Sequence, residues 1–257
     1  MDKSEYSIGF FDSGVGGISV LREAVKLLPN ENYIYYGDSL HAPYGTKTSR
    51  EVRDLSFNVI DKLIEMKVKA IVVACNTATS IVIDDLRRKY KDIPIIGIEP
   101  ALKPAVEKYG NGTVVIMATP VTLSENKFMR LREKYNRTAK IIPMPCEGLV
   151  ELIENGTTKG IIVEEYLKSK FEKIPSSDVS SVVLGCTHYP FIKDSLSKVI
   201  GDDVAIIDGS FGTVKQLKRL LEKHNLINRG NNGGKIKILN SSKDERLVKL
   251  SYELMNK

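Results

Sequence analysis

Short apolar runs recur along this chain, separated by longer stretches in which apolar and charged residues alternate. The runs are SIGFF (7–11), YIYYG (33–37), AIVVAC (70–75), IPIIGI (93–98), TVVIMA (113–118), IIPMP (141–145), SVVLGC (181–186), VAIID (204–208) and KIKIL (235–239). They are rich in Val and Ile and apolar at consecutive positions, the pattern of strands covered on both faces. Between them, Ile18, Leu21, Val25 and Leu28 mark one apolar stripe, and Val52, Leu55, Val59, Leu63 and Met66 a second. Val214, Leu217 and Leu221 mark a third. Such stripes predict amphipathic helices. The third stripe places a helix over 213–224, and further helices are expected around 81–90, after Pro190 and over 243–255, with a Gly-rich loop at 230–234. Strand and helix in alternation predict parallel sheets in an α/β fold. Ligands of such sheets sit beyond the carboxyl ends of the strands, and the short polar motifs of this chain fall there.

A second regularity lies in those motifs. SIGFF runs into Asp12-Ser13-Gly14, and 63 residues after Asp12 comes Cys75-Asn76-Thr77. TVVIMA runs into Thr119-Pro120, and 67 residues after Thr119 comes Cys186-Thr187-His188. The offsets between the two sets, 107 and 111 residues, nearly agree, which reads as a degenerate internal repeat. The predicted architecture is two pseudo-symmetric parallel-sheet α/β domains facing across a central active-site cleft, with one cysteine on each wall. The first domain is expected over 1–98 plus 209–257, the second over 99–208.

Composition narrows the compartment and the partners. No stretch is long and apolar enough for a spanning helix, and MDKSEYSIGF lacks the apolar core of a signal peptide. Three cysteines in 257 residues do not make a disulfide framework, so a cytoplasmic protein without a membrane partner is expected. The 38 Lys and Arg against 32 Asp and Glu leave a formal charge of +6. These cations lie in segments such as LREAVK and LREKYNRTAK, where they line solvated helix faces. No RNP, zinc or basic-zipper signature accompanies them, so nucleic acid is not the expected partner.

The candidate chemistry centres on two thiols. Cys75 stands after a strand and before a helix, where free N–H groups and the helix dipole favour a thiolate. Cys186 stands in Leu-Gly-Cys-Thr-His-Tyr-Pro, with a histidine two residues on. A closed zinc site lacks ligands at the usual spacing, since there is no CxxC, no HExxH and only three His. A dithiol redox pair lacks its CxxC motif. A Cys186–His188 hydrolase dyad would leave Cys75 unexplained, and adjacent strand residues i and i+2 are not expected to aim at each other for proton transfer. Two opposed thiols do suit stereochemical inversion, one removing a carbon-bound proton and the other returning a proton to the opposite face. Asp12 and His188 are the polar neighbours best placed to tune them. The Gly-rich turn at 12–17 matches neither GxGxxG nor GxxxxGK[ST]; small-anion binding through backbone N–H groups suits it better than nucleotide binding.

FDSGVGG (11–17), GDSLHAPYG (37–45), ACNTATS (74–80), GIEPALKPAV (97–106) and LGCTHYP (184–190) occur in this order, and together they resemble the glutamate racemases. The resemblance spans about residues 8 to 210. It implies racemisation of L- and D-glutamate without a cofactor, supply of D-glutamate to peptidoglycan, and assembly as a homodimer. Carried over, Cys75 and Cys186 would be the acid/base thiols, acting on the D- and L-enantiomer respectively, with Asp12 and His188 assisting. Ser13, Tyr44 with Gly45, Asn76, Thr77 and Thr187 match positions that hold the substrate's carboxylates and ammonium. Asp12 and His188 would line the same pocket, and Thr119 lies in a turn that the family also places at the site.

One stretch departs. The family pattern Cys-Pro-x-Phe-Val-Pro-Leu-Val-Glu is here Cys146-Glu147-Gly148-Leu149-Val150-Glu151-Leu152-Ile153-Glu154. Glu154 keeps the position of the family's site-lining Glu, with Glu151 as a second candidate and Cys146 as a structural thiol. The lost prolines leave room for a change of substrate to aspartate or a broader range of acidic amino acids. A binding or regulatory homologue, for instance one acting on DNA gyrase, is the remaining alternative; the two intact cysteine turns speak against it.

Overall fold

The computed structural model describes residues 3–231 and 233–256, so that Asn232, in the Gly-rich loop, lies outside the described residues. The chain opens with β1 (Ile8–Asp12), α1 (Ile18–Leu27), β2 (Tyr33–Gly37), α2 (Ser49–Glu65), β3 (Ala70–Val73), α3 (Asn76–Lys89) and β4 (Ile95–Gly97). It continues with α4 (Leu102–Tyr109), β5 (Thr113–Ala118), α5 (Pro120–Ser124), α6 (Asn126–Tyr135), β6 (Lys140–Pro145), α7 (Leu149–Glu154), α8 (Ile161–Phe171), β7 (Val179–Leu184), α9 (Lys193–Ile200) and β8 (Ala205–Asp208). It ends with α10 (Ser210–Lys223), β9 (Ile236–Asn240) and α11 (Glu245–Met255). Contacts divide these elements into two compact units, one built from the chain up to Glu99 and from Ser210 onward, the other from Pro100–Gly209.

Each unit holds one sheet of parallel strands. The first has the order β4-β3-β1-β2-β9, the second β6-β5-β7-β8. Read from the other edge, the second is β8-β7-β5-β6, the order of the first without β9. In each unit the chain leaves its first strand for one neighbour and then crosses back to the other side. The point of reversal therefore lies between β1 and β3 in the first unit, and between β5 and β7 in the second. Ligand crevices in open α/β sheets form at such points, beyond the carboxyl ends of the strands.

The apolar runs are explained by double-sided burial. All six residues of β5 are buried. Their alternation sends Val115 and Met117 into one apolar cluster, with Leu167 of α8 and Leu196 of α9, and Val114 and Ile116 into another, with Leu102 of α4 and Phe128 of α6. In the first unit Phe11 and Val73 pack with Val59 of α2 and Val82 of α3. Each fully buried side chain of this size contributes on the order of 1.5–3 kcal/mol. Helix α2 starts on a reciprocal cap, in which Thr48 accepts from the Glu51 N–H and the Glu51 carboxylate accepts from the Thr48 N–H. Among the described residues no helix is long and apolar enough to cross a membrane.

Candidate active site

In the first unit the point of reversal is occupied by Asp12, Ser13 and Cys75. Asp12 is the last residue of β1 and is 0% exposed; its Oδ1 accepts from the Gly14 N–H at 3.0 Å. Strand β3 ends at Val73, and Cys75 is the N-cap of α3. Its Sγ accepts from the Ala78 N–H at 3.4 Å and lies 3.5 Å from Ser13 Oγ. The thiol therefore meets the positive end of a 14-residue helix, an environment that favours a thiolate. Asn76 and Thr77, expected in a turn after the strand, belong instead to the first turn of α3, because the thiol caps the helix that early. Both are buried, and neither amide atom of the Asn76 side chain has a hydrogen-bond partner among the described residues. An unpaired buried amide costs on the order of 1–3 kcal/mol, a cost that a ligand with complementary groups would remove.

Asp12 needs space as well as bonds. A Cβ on Gly17 would lie 2.6 Å from Asp12 Cβ and 3.0 Å from Ala74 Cβ, so the helix α1 entry must have glycine there. Gly17→Ala is expected to cost about 1–3 kcal/mol and to lower activity by pushing Asp12 aside. Thermal unfolding alongside a rate assay checks this; an unchanged melting temperature with an unchanged rate would refute it.

The stretch after β2 forms two short 3₁₀ turns, at Ser39–His41 and Tyr44–Thr46. Tyr44 and Gly45 are buried there, and the Tyr44 hydroxyl donates to Asp38 Oδ2 at 2.6 Å. Burial, and then the charge and hydrogen bond of Asp38, push the Tyr44 phenol far above its ordinary range; charge on Cys75 and Asp12 adds to this. It remains a neutral donor. His41 Nδ1 lies 3.0 Å from both Asp38 oxygens, with its side chain 42% exposed. Asp38 and His41 were not among the sequence-predicted site residues. The available signal was positional: Asp38 follows β2 at the carboxyl edge as Asp12 closes β1.

In the second unit the corresponding point holds Thr119, Cys186, Thr187 and His188, all buried. Thr119 caps α5, its Oγ1 accepting from the Thr122 N–H at 3.3 Å. Cys186 Sγ lies 3.7 Å from His188 Nδ1, and His188 Nε2 lies 2.6 Å from Glu154 Oε1. This corrects the expectation that residues 186 and 188 do not aim at each other. Strand β7 ends at Leu184, and His188 adopts helical backbone angles (φ −73°, ψ −33°) ahead of a 3₁₀ turn. The alternation of a strand no longer applies there. Burial alone would lower the His188 pKa, but hydrogen bonds and charge from Cys186 and Glu154 outweigh it and raise the imidazole well above its usual value. The protonated imidazole, held between Cys186 and Glu154, is the form so favoured.

Of the two candidate glutamates in the divergent stretch, Glu154 meets His188 while Glu151 is exposed. Cys146 is buried, donates to the Met144 carbonyl, and is pushed up to about 12 by burial. It stays a neutral thiol at neutral pH. The two units thus present two buried thiols at topologically equivalent strand ends, in different surroundings: a helix N-terminus for Cys75, a His–Glu pair for Cys186.

Residues 12–217 match the model of the Asp/Glu/Hydantoin racemase family. The chain is 59% identical to a glutamate racemase of Clostridium acetobutylicum over 249 residues, 97% of each chain. Among solved structures it is similar to glutamate racemase from Francisella tularensis in complex with D-glutamate (TM-score 0.85, 32% identity, 99% of this chain and 95% of that one). It is also similar to the Escherichia coli glutamate racemase in complex with L-glutamate and the activator UDP-MurNAc-Ala (TM-score 0.82, 27% identity, 97% and 95%).

Proposed function

The chain belongs to the Asp/Glu/hydantoin racemase family, among its glutamate racemases, and on that premise we propose that Cys75 and Cys186 interconvert L- and D-glutamate as paired acid and base. The observation that carries this reading is the pair of buried thiols at equivalent strand ends, each with its own charge-stabilising surroundings. With L-glutamate, the Cys186 thiolate takes the Cα proton and the Cα–H electron pair moves toward the α-carboxylate. The Cys75 thiol then delivers its proton to the opposite face. The D-enantiomer runs the same steps in reverse, and each turnover exchanges the protonation states of the two thiols. His188⁺ and the N-terminus of α3 hold the respective thiolates, with Asp12 beside the Cys75 turn. Asn76, with its unpaired amide, and Ser13, Tyr44, Gly45, Thr77, Thr119 and Thr187 bind the carboxylates and the ammonium. Donors aimed at the α-carboxylate offset the charge that develops there.

The reading extends to a cytoplasmic homodimer that works without a cofactor and supplies D-glutamate to peptidoglycan. The five-motif resemblance and the family membership support that extension. The test is optical and isotopic: pure L-glutamate in deuterated water with no cofactor added. Loss of optical activity with deuterium entering Cα is expected, with L-aspartate turned over far more slowly. Retention of optical activity on glutamate by folded protein would overturn the reading, and faster turnover of aspartate would reassign the substrate.

A further inference from the structure

The loop that departs from the family pattern, Cys146-Glu147-Gly148, carries no proline, and Gly148 takes a left-handed conformation (φ +80°). A glycine gives the backbone freedom rather than restraint, yet this loop sets the entry of α7, a helix of only six residues. Glu154, at the end of that helix, must meet His188 within hydrogen-bond distance. The restraint comes from side chains. Lys170 Nζ donates to the Pro145 carbonyl at 2.8 Å, the Tyr189 hydroxyl to the Cys146 carbonyl at 3.2 Å, and the Tyr166 hydroxyl to the Glu147 carbonyl at 2.9 Å. Three successive carbonyls are gripped by three donors. Tyr166 and Lys170 stand one turn apart on α8, on one face, and the Lys170 ammonium lies 5.5 Å from the centre of the Tyr166 ring. Tyr189 is fully buried, and its own N–H closes the turn onto the Cys186 carbonyl at 3.2 Å.

We infer that Tyr166, Lys170 and Tyr189 are positioning residues for the Cys186 thiol: by fixing residues 145–147 they set the entry of α7, and so the contact of Glu154 with His188. Tyr189 ties the two ends of that array together, since it follows His188 directly and reaches the loop that leads to Glu154. None of the three needs to touch substrate. The inference rests on the two-thiol reading above, because its effect is exerted through Cys186.

The test uses the full chain carrying Tyr166→Phe and Lys170→Met together, which removes both outer donors while keeping the ring and the aliphatic stem. Tyr189→Phe, being buried, risks unfolding and serves as the second variant. The folded double variant is expected to lose about tenfold or more in kcat, approaching the roughly 10²-fold that a 1 Å misplacement from a remote change can cost, with KM for glutamate nearly unchanged. The His188 ring, followed by NMR among only three histidines, should titrate lower than in wild type, as it should in Glu154→Gln. Lys170→Arg, which keeps a charged donor, should stay close to wild type. A folded double variant with wild-type kcat and an unmoved His188 titration would overturn the inference. So would a rise in KM alone, which would place the loop at the substrate instead. Cys186→Ala, assayed beside them, separates the two failures: its continued turnover would sink the two-thiol reading, whereas its loss with a wild-type double variant would sink only the clamp.

Discussion

Cys75→Ala and Cys186→Ala are each expected to lose racemisation by a factor of about 10³ or more, while remaining folded. General acid–base groups contribute roughly 10²–10⁴-fold each, and groups that act as a unit are lost together. The isotope pattern is the sharper readout. With Cys75 gone, Cys186 can still take the Cα proton of L-glutamate and return a solvent-derived one to the same face. Deuterium then enters L-glutamate slowly and without inversion, and D-glutamate stays untouched. Cys186→Ala should show the mirror pattern. Both side chains are small and buried, so the cavity left by either substitution is modest, and circular dichroism separates lost chemistry from lost structure. A single variant that racemises near the wild-type rate would end the two-base account.

His188→Asn should lower kcat by about 10²-fold, within the span expected of an acid–base partner, and it should also change how stability depends on pH. In the native protein Cys186 and Glu154 raise the His188 pKa against the effect of its burial. A group whose pKa is raised by folding binds its proton more tightly in the native state. Its stabilisation is fully present below the ordinary imidazole range, near about 6.5, and is lost as the pH climbs through the native value. The gap in melting temperature between wild type and His188→Asn should therefore be widest at mildly acidic pH and narrow toward alkaline pH. A gap that widens with rising pH would show that His188 is held neutral. The wild-type rate should be bell-shaped in pH, since one thiol must be ionised and the other protonated.

Much of this architecture was legible because parallel strands buried on both faces leave unbroken apolar runs; each of the nine runs overlaps a strand. The ends were less legible where a side chain redirects the backbone. AIVVAC reads as strand through Cys75, yet β3 stops at Val73 and the thiol caps the next helix. The helices of the second unit were harder to see. In α8, Ile161 and Ile162 are exposed, which blurs the apolar stripe formed by Val163, Leu167 and Phe171. Both thiols could be nominated from strand-end position, and His188 as a neighbour placed to tune them, but the geometry of the Cys186–His188 contact could not, because it depends on a turn that sequence periodicity does not encode. Asp38 was missed for a related reason: its partners His41 and Tyr44 meet it only after the loop winds into two 3₁₀ turns. The clamp on residues 145–147 draws its donors from α8 and from the turn after β7, far along the chain, and no local pattern announces it.

The extra strand β9 has a consequence for the order in which this protein can be completed. It pairs with β2 at the edge of the first sheet, and α1 packs against both α10 and α11. A nascent chain that has emerged as far as Gly209 therefore carries every strand and helix of the second unit, in one unbroken segment. The first unit, although translated earliest, still lacks a strand and two covering helices. Domains usually mature from the amino terminus as synthesis proceeds. Here the second unit is whole first, and the unit that holds Cys75 must wait until the segment from Ser210 through α11 has also left the ribosome.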